Sequence, residues 1–357
     1  MRKLPRTGRR LGLVALAAMP MLGASALSAT SAVAASVTAK NVSASTQAQT
    51  LAYWTQARRD AAKSVDVIAG NAPTSSVSRA APDGPPSAVA GSSPSGTPSA
   101  SLSASLLAQP VPAGQSWGYP FPYDAFAVPV KSYKTYPYKV NGTIFFVNNG
   151  GGFKCSGTAV VNGHHASEVW TAGHCVANTE SGNKFDESAE FIPAYNGNGI
   201  TAKEIEPFGT FVANYYETVS TWLYEHNVEY DYGAMLLNNS STSKKTLSKA
   251  VGTDGFAWNW SENEQFVQFG YPGEAPYNGS KMEENIAATG PCTMCTGSPF
   301  TGGSSGGAWN IFWTDEGPGY INGHTDYYYT NAPLTKYSPY IDTLANEVRC
   351  LGKPTEC

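Results

Sequence analysis

The sequence predicts an all-β body, sandwich or barrel, closed by one C-terminal helix. Three observations carry this. From about Trp117 onward Tyr, Trp, Phe, Val and Ile become dense, and Gly or Asn-Gly punctuation recurs. The apolar runs there are short and spaced like strands. No helical runs of comparable length alternate with them, which argues against an α/β fold.

In chain order, Val140–Val147 reads as a strand and Thr158–Val161 as another, with Asn162-Gly163 as a hairpin turn into Glu168–Thr171. Gly233–Leu237, Gln265–Phe269 and Tyr320–Asn322 are further short strands. The helix lies in Pro339–Val348, where Ile341, Leu344 and Val348 fall on one face.

The 357 residues, 41% apolar and 14% charged, suffice for one large or two small domains and exclude wholesale disorder or a coiled coil. Residues 1–115 carry 10 Lys and Arg against 3 Asp and Glu, whereas residues 116–357 carry 13 against 24. A body so acidic is repelled by phosphate backbones, which excludes nucleic acid as its partner.

The N-terminus has the form of an export signal. Arg2, Lys3, Arg6, Arg9 and Arg10 precede an apolar stretch from Leu11 to about Leu27, and Ala32-Val33-Ala34 supplies a cleavage triplet. Residues 1–34 are therefore expected to be a secretory signal, with Arg9-Arg10 compatible with the twin-arginine route. Pro20 and the small residues of the stretch disfavour a membrane anchor. The mature protein is expected outside the cell, as a monomer without stable membrane association.

Residues 35–115 are expected to be a pro-segment and linker. Leu51–Lys63 has helix-compatible spacing, and Ala72–Gln115 is mostly Ala, Ser, Pro and Gly, a composition that cannot bury a core. A disordered spacer is the alternative.

Six cysteines, Cys155, Cys175, Cys292, Cys295, Cys350 and Cys357, in an exported chain read as disulfides. Cys292 and Cys295 lack the second pair that zinc needs. The pairing of these two, Cys350 and Cys357 stays open.

Three segments carry chemistry. In Thr171-Ala172-Gly173-His174-Cys175 a histidine follows a strand, and a Cys155–Cys175 bridge would fix the loop that holds it. In Glu229–Leu237, Asp231 stands at the mouth of a buried strand, a position that demands a partner such as an imidazole N–H. In Thr301–Trp309, glycines on both sides of Ser305 allow a tight turn that aims backbone N–H groups at one spot. Each segment alone has a bland explanation, but the order His, Asp, Ser on an exported β chain fits a nucleophilic triad.

These segments resemble the chymotrypsin-fold serine endopeptidases over about residues 137–348. Gly199–Ile205, Gly270-Tyr271-Pro272-Gly273 and Gly323-His324 look like the bacterial glutamyl-endopeptidase, or V8-like, branch. The resemblance implies a protease domain over residues 116–357. Within it, two six-stranded antiparallel barrels pack together, at about 137–240 and 245–340, and the helix falls at about 338–349. It further implies protein or peptide substrates, no metal or organic cofactor, catalysis by His174, Asp231 and Ser305, and an oxyanion hole from Gly303 and Ser305. His324, with Thr325, takes the place of a residue that binds a glutamate side chain in the specificity (S1) pocket, so a glutamate preference is one expectation beside a basic or apolar one. Asp326 would repel a glutamate if it faced that pocket. Ser304 stands where many animal relatives carry Asp, so maturation is expected to differ.

Other functions weighed are a catalytically silent binding protein on the same fold and a serine esterase. His164-His165 read as exposed rather than metal-binding, and Asp186, Glu187 and Glu190 as a solvated acidic loop rather than a calcium site.

Overall fold

The computed structural model describes residues 35–70, 82–95, 119–177, 182–290 and 292–351. The expected leader, much of the expected linker and Cys357 lie outside the described residues.

Six strands close into an antiparallel barrel: Asn141–Asn148, Gly151–Ala159, Glu168–Ala172, Ser188–Pro193, Phe211–Val219 and Tyr232–Leu237. Each pairs with the next around the ring, and Phe211–Val219 closes it on Ser188–Pro193. Ile144, Phe146, Val169, Trp170, Phe191 and Met235 fill its core. The first hairpin turns at Asn149-Gly150, both at positive φ (47° and 72°), as a two-residue type I′ turn requires. The turn expected at Asn162-Gly163 is longer. Its strands end at Ala159 and resume at Glu168, because the Asn162 side chain accepts from the amides of His164 and His165 and holds an open loop.

The second half is also β. Gly255–Trp258, Tyr320–His324, Ala308–Ile311, Gln265–Gly270 and Glu283–Ala288 form the middle of a seven-stranded sheet, and Cys295–Gly297, Thr335–Tyr337 and Tyr327–Tyr328 belong to a four-stranded one. Pairing is antiparallel apart from Gly255–Trp258 on Tyr320–His324 and one strand described below. The architecture is the chymotrypsin-like one. The C-terminal helix spans Thr343–Arg349, shorter than expected, because Asp342 caps it by accepting from the Ala345 amide at 2.8 Å.

The segment before the body is more ordered than its composition implies. Val37–Asn41 adds antiparallel to Phe211–Val219 on the first barrel. The expected single helix is two, Ala44–Tyr53 and Gln56–Asp60, interrupted where Thr55 caps the second. Within the expected linker, Ser87–Val89 pairs with Gly255–Trp258, and Asp83 accepts from Thr343.

Lys63–Ser64 then runs parallel to Gly151–Ala159, and Val67–Ile68 parallel to Tyr327–Tyr328. Residues 63–68 thus cross from the first barrel to the second half of the body. Among the described residues no helix is long and apolar enough to cross a membrane.

Candidate active site

His174 sits in a single 3₁₀ turn, Gly173–Cys175, that ends the strand Glu168–Ala172. The Cys155–Cys175 disulfide ties this turn to the neighbouring strand, as expected. Cys292–Cys295 is a second bridge, and Cys350 is disulfide-bonded too. Asp231 precedes the strand Tyr232–Leu237, which pairs with the histidine's strand, so the two side chains meet at the barrel end. The Asp231 carboxylate takes two hydrogen bonds from one residue. The His174 amide donates to Oδ1 at 2.7 Å, and His174 Nδ1 donates to Oδ2 at 2.9 Å. A side chain at Gly173 would strike Asp231 Oδ1 and Trp222 Cδ1, each 2.8 Å from a Cβ built there, so glycine is what permits this approach.

Ser305 lies in the glycine-rich turn of the second half. Its main chain is tied to the first barrel by the Ser156 amide, which donates to the Ser305 carbonyl at 2.8 Å. Ser156 Oγ donates to the Gly303 carbonyl at 2.9 Å and accepts from the Tyr271 amide at 2.9 Å. Gly306, at φ 80°, packs so closely that a Cβ there would fall 2.0 Å from Thr171 Oγ1 and 2.5 Å from the Ser156 carbonyl. Ser156 escaped the sequence reasoning, although its place beside Cys155 was a visible signal.

The Ser305 hydroxyl makes no hydrogen bond to His174. It donates to the carbonyl of Val65 at 3.3 Å, and the Gly303 amide donates to the same oxygen at 3.2 Å. A peptide carbonyl of the N-terminal segment therefore occupies the spot on which the expected nucleophile and an expected oxyanion donor converge. His174 Nε2 is buried and has no hydrogen-bond partner.

Burial opposes charge on the His174 ring, but the adjacent Asp231 carboxylate outweighs it and pushes the pKa up. Asp326, unforeseen as a neighbour, brings a carboxyl oxygen within 3.4 Å of His174 Nδ1. Burial first, then the charge of Asp231, pushes the Asp326 carboxyl well above the usual range. Ligand atoms of His174, Asp231 and Asp326 lie within 4.8 Å of one another. His174 and Asp231 spend theirs on each other, and Cys155 and Cys175 beside them are bridged, so these groups form a hydrogen-bonded cluster rather than an open donor set.

His324 and Thr325, expected in a specificity pocket, are both buried. His324 is 0% exposed. It donates through Nε2 to the Asp231 carbonyl at 3.0 Å, and its Nδ1 accepts from Trp170 Nε1 at 3.3 Å. Burial pulls its pKa down to about 4, so the ring is neutral and braces Asp231 from behind. Thr325 Oγ1 accepts from Trp309 Nε1. The strand Tyr320–His324 is buried along its whole length. The acidic loop also differs from expectation: Glu190 is buried against Arg59 at 2.8 Å, and Asp186 is buried and accepts from Asn148. His164 and His165 are exposed, as read.

No protein-family model matches the chain. A thermostable serine protease, AL20, from an extremophilic microorganism is 27% identical and aligns with TM-score 0.53 over 64% of this chain and 100% of its own. The protease Anisep from Arthrobacter nicotinovorans is 29% identical, with TM-score 0.51 over 62% of this chain and 97% of its own. Among curated proteins, an extracellular metalloprotease of Bacillus subtilis (strain 168) is 29% identical over 113 residues, 31% of this chain. The matched stretch spans 32% of that relative's length, about a third. The chain resembles the chymotrypsin-fold serine proteases.

Proposed function

We propose that this chain is a secreted serine endopeptidase, made as a precursor, that cleaves peptide bonds through Ser305, His174 and Asp231. The observation that carries this is the junction of the three segments: a 2.9 Å His174–Asp231 bond beside a serine loop whose Gly303 amide already holds a peptide carbonyl. In the active state Ser305 Oγ attacks the scissile carbonyl while His174 Nε2 takes its proton. The amides of Gly303 and Ser305 bind the oxyanion; losing one such donor lowers the rate by about 100-fold or more. His174 then passes the proton to the leaving amine, and water repeats the sequence on the acyl-enzyme. Asp231 keeps the imidazole in its working tautomer, with His324 as a positioning residue behind it.

Residues 35–70 fit the precursor role. In the present arrangement His174 is charged, its Nε2 is idle, and Ser305 donates its proton to Val65, so neither base nor nucleophile is engaged. The direction of residues 63–68 explains why they survive in the cleft. His174 belongs to the first barrel and must reach the leaving amine, so a productive substrate places that amine on the first-barrel side and its acyl half along Tyr327–Tyr328. Residues 63–68 run the other way. Secretion is supported by the form of the leader and by the disulfides.

Asp66 makes the hold on this segment pH-dependent. Burial, then the charge of Glu274, pushes its carboxyl up to about 6, against the opposing pull of Lys336, His174 and the Tyr328 hydroxyl. A carboxyl raised above its free value of 3.8 favours the seated state fully below about pH 4 and loses that contribution as pH rises through about 6. A synthetic peptide of residues 35–70 should inhibit the matured enzyme more tightly at pH 5 than at pH 7. The same peptide with Asp66→Asn should lose this difference, and identical pH profiles for the two peptides would contradict it.

The reading itself is tested by incubating the matured protein with internally quenched peptides. Cleavage sustains it. A folded, matured protein that binds peptides and leaves them intact is the silent binding protein instead.

A further inference from the structure

Asp326 reaches the His174–Asp231 couple from the second half of the body. It lies between the strands Tyr320–His324 and Tyr327–Tyr328, and its amide donates to the Tyr337 carbonyl at 3.0 Å. Its Oδ1 comes within 3.4 Å of His174 Nδ1, the nitrogen that Asp231 Oδ2 already meets at 2.9 Å. The Asp326 side chain is 0% exposed. Neither of its carboxyl oxygens reaches hydrogen-bond geometry with any described residue. Among the described residues no lysine or arginine pairs with it.

A buried carboxyl without donors is costly, and the positive charge within reach of this one is the His174 ring. Two carboxyls therefore press on one nitrogen. An opposite charge at this range favours the charged form of an imidazole, and a second adds to the first. Burial works against charge on His174, whereas Asp231 first and Asp326 after it work in favour. Burial, then Asp231, pushes the Asp326 carboxyl up, and the charged His174 ring is what pulls it down. Charge on the ring and charge on Asp326 thus support each other. Neutralising the ring would leave two carboxylates facing each other in a buried site, so the three groups titrate as a unit. The other titratable neighbours leave this balance in place. His324 is neutral and meets Asp231 at its main-chain carbonyl, and Asp66 leaves with the N-terminal segment on the precursor reading.

We propose that Asp326 is a positioning residue that, together with Asp231, keeps His174 protonated into mildly alkaline solution and so sets the pH at which peptide cleavage begins. The proposal rests on the endopeptidase reading above. Cleavage needs His174 Nε2 free to take the Ser305 proton, so the ring must first give its own proton to water. With two carboxyls beside Nδ1 that loss comes at a higher pH than with one. Asp326 touches neither substrate nor Ser305 and acts through His174 alone.

The test follows kcat/KM of the full chain, expressed and matured, on an internally quenched peptide between about pH 5 and 10, where the profile reports groups of the free enzyme. The acid limb of the wild type should have its midpoint at least about one unit above the free imidazole value of about 6.5. Asp326→Asn keeps the shape of the side chain and removes its charge, and should lower that midpoint by about one unit or more. Near pH 6 the variant should then cleave about 10-fold faster than the wild type, relative to each protein's own plateau. Looser packing lowers the rate at every pH and does not shift the midpoint. An unmoved midpoint, or one that rises in Asp326→Asn, would overturn the proposal and leave the endopeptidase reading standing. If the variant does not fold, the wild-type limb decides alone, and a midpoint at or below the free imidazole value overturns the proposal. Absence of cleavage at every pH, with no fluorophosphonate label, strikes the endopeptidase reading itself. The titration of the His174 ring by nuclear magnetic resonance, with and without Asp326→Asn, then decides on Asp326 by the same shift.

Discussion

Ser305→Ala is expected to lower kcat for peptide cleavage by about a million-fold with the fold unchanged, since loss of a nucleophile or its base has that scale in enzymes of this chemistry. The fold should tolerate it because the turn is held by main chain. The Ser305 carbonyl accepts from the Ser156 amide, and the Gly306 amide donates to the Thr325 carbonyl at 2.7 Å, neither of which uses the hydroxyl. Asp231→Asn should be milder, about ten-thousand-fold, because it disturbs the tautomer of His174 rather than removing a reacting group. A variant series in which Ser305→Ala keeps more than a hundredth of the activity would assign the chemistry to another residue. Circular dichroism of the same samples separates lost catalysis from lost structure.

The second large effect concerns the precursor. A tethered segment at millimolar effective concentration, with micromolar intrinsic affinity, leaves about one molecule in a thousand open. The intact full chain should therefore react with a fluorophosphonate about a thousand-fold more slowly than the matured protein. Arg59 is a main anchor: it bonds Glu190 at 2.8 Å, also pairs with Glu206, and is 7% exposed. Removing one partner of a buried pair costs about 3 kcal/mol or more, so Arg59→Ala should raise the labelling rate of the intact chain by about 100-fold. Equal labelling of intact and matured protein would mean that the segment does not block Ser305.

Much of this was legible in the sequence, and the limits are physical. Thr171–Cys175, Asp231 before its strand and the glycines around Ser305 announce themselves because close backbone approaches admit few residue types. Gly173 and Gly306 have atoms within 3 Å of where a side chain would stand. The strands were readable from short apolar runs.

The partners of His324 were not readable because its strand is buried along its whole length, where alternation no longer tells which way a side chain points. The course of residues 63–68 was hidden for another reason. Two-residue strands leave no periodic signal, and their partners lie about 90 and 260 positions further along. Ser87–Val89 was masked in the same way by its Pro-, Ser- and Ala-rich surroundings. Nothing in the sequence around Lys336 marks it out, and only the fold shows it buried beside Tyr328.

The most direct test of the central claim is fluorophosphonate labelling of the matured protein, with the modified peptide located by mass spectrometry. The account predicts a single label on Ser305 that disappears in His174→Ala. A folded, matured protein that takes no label, or takes it on another residue, would contradict it.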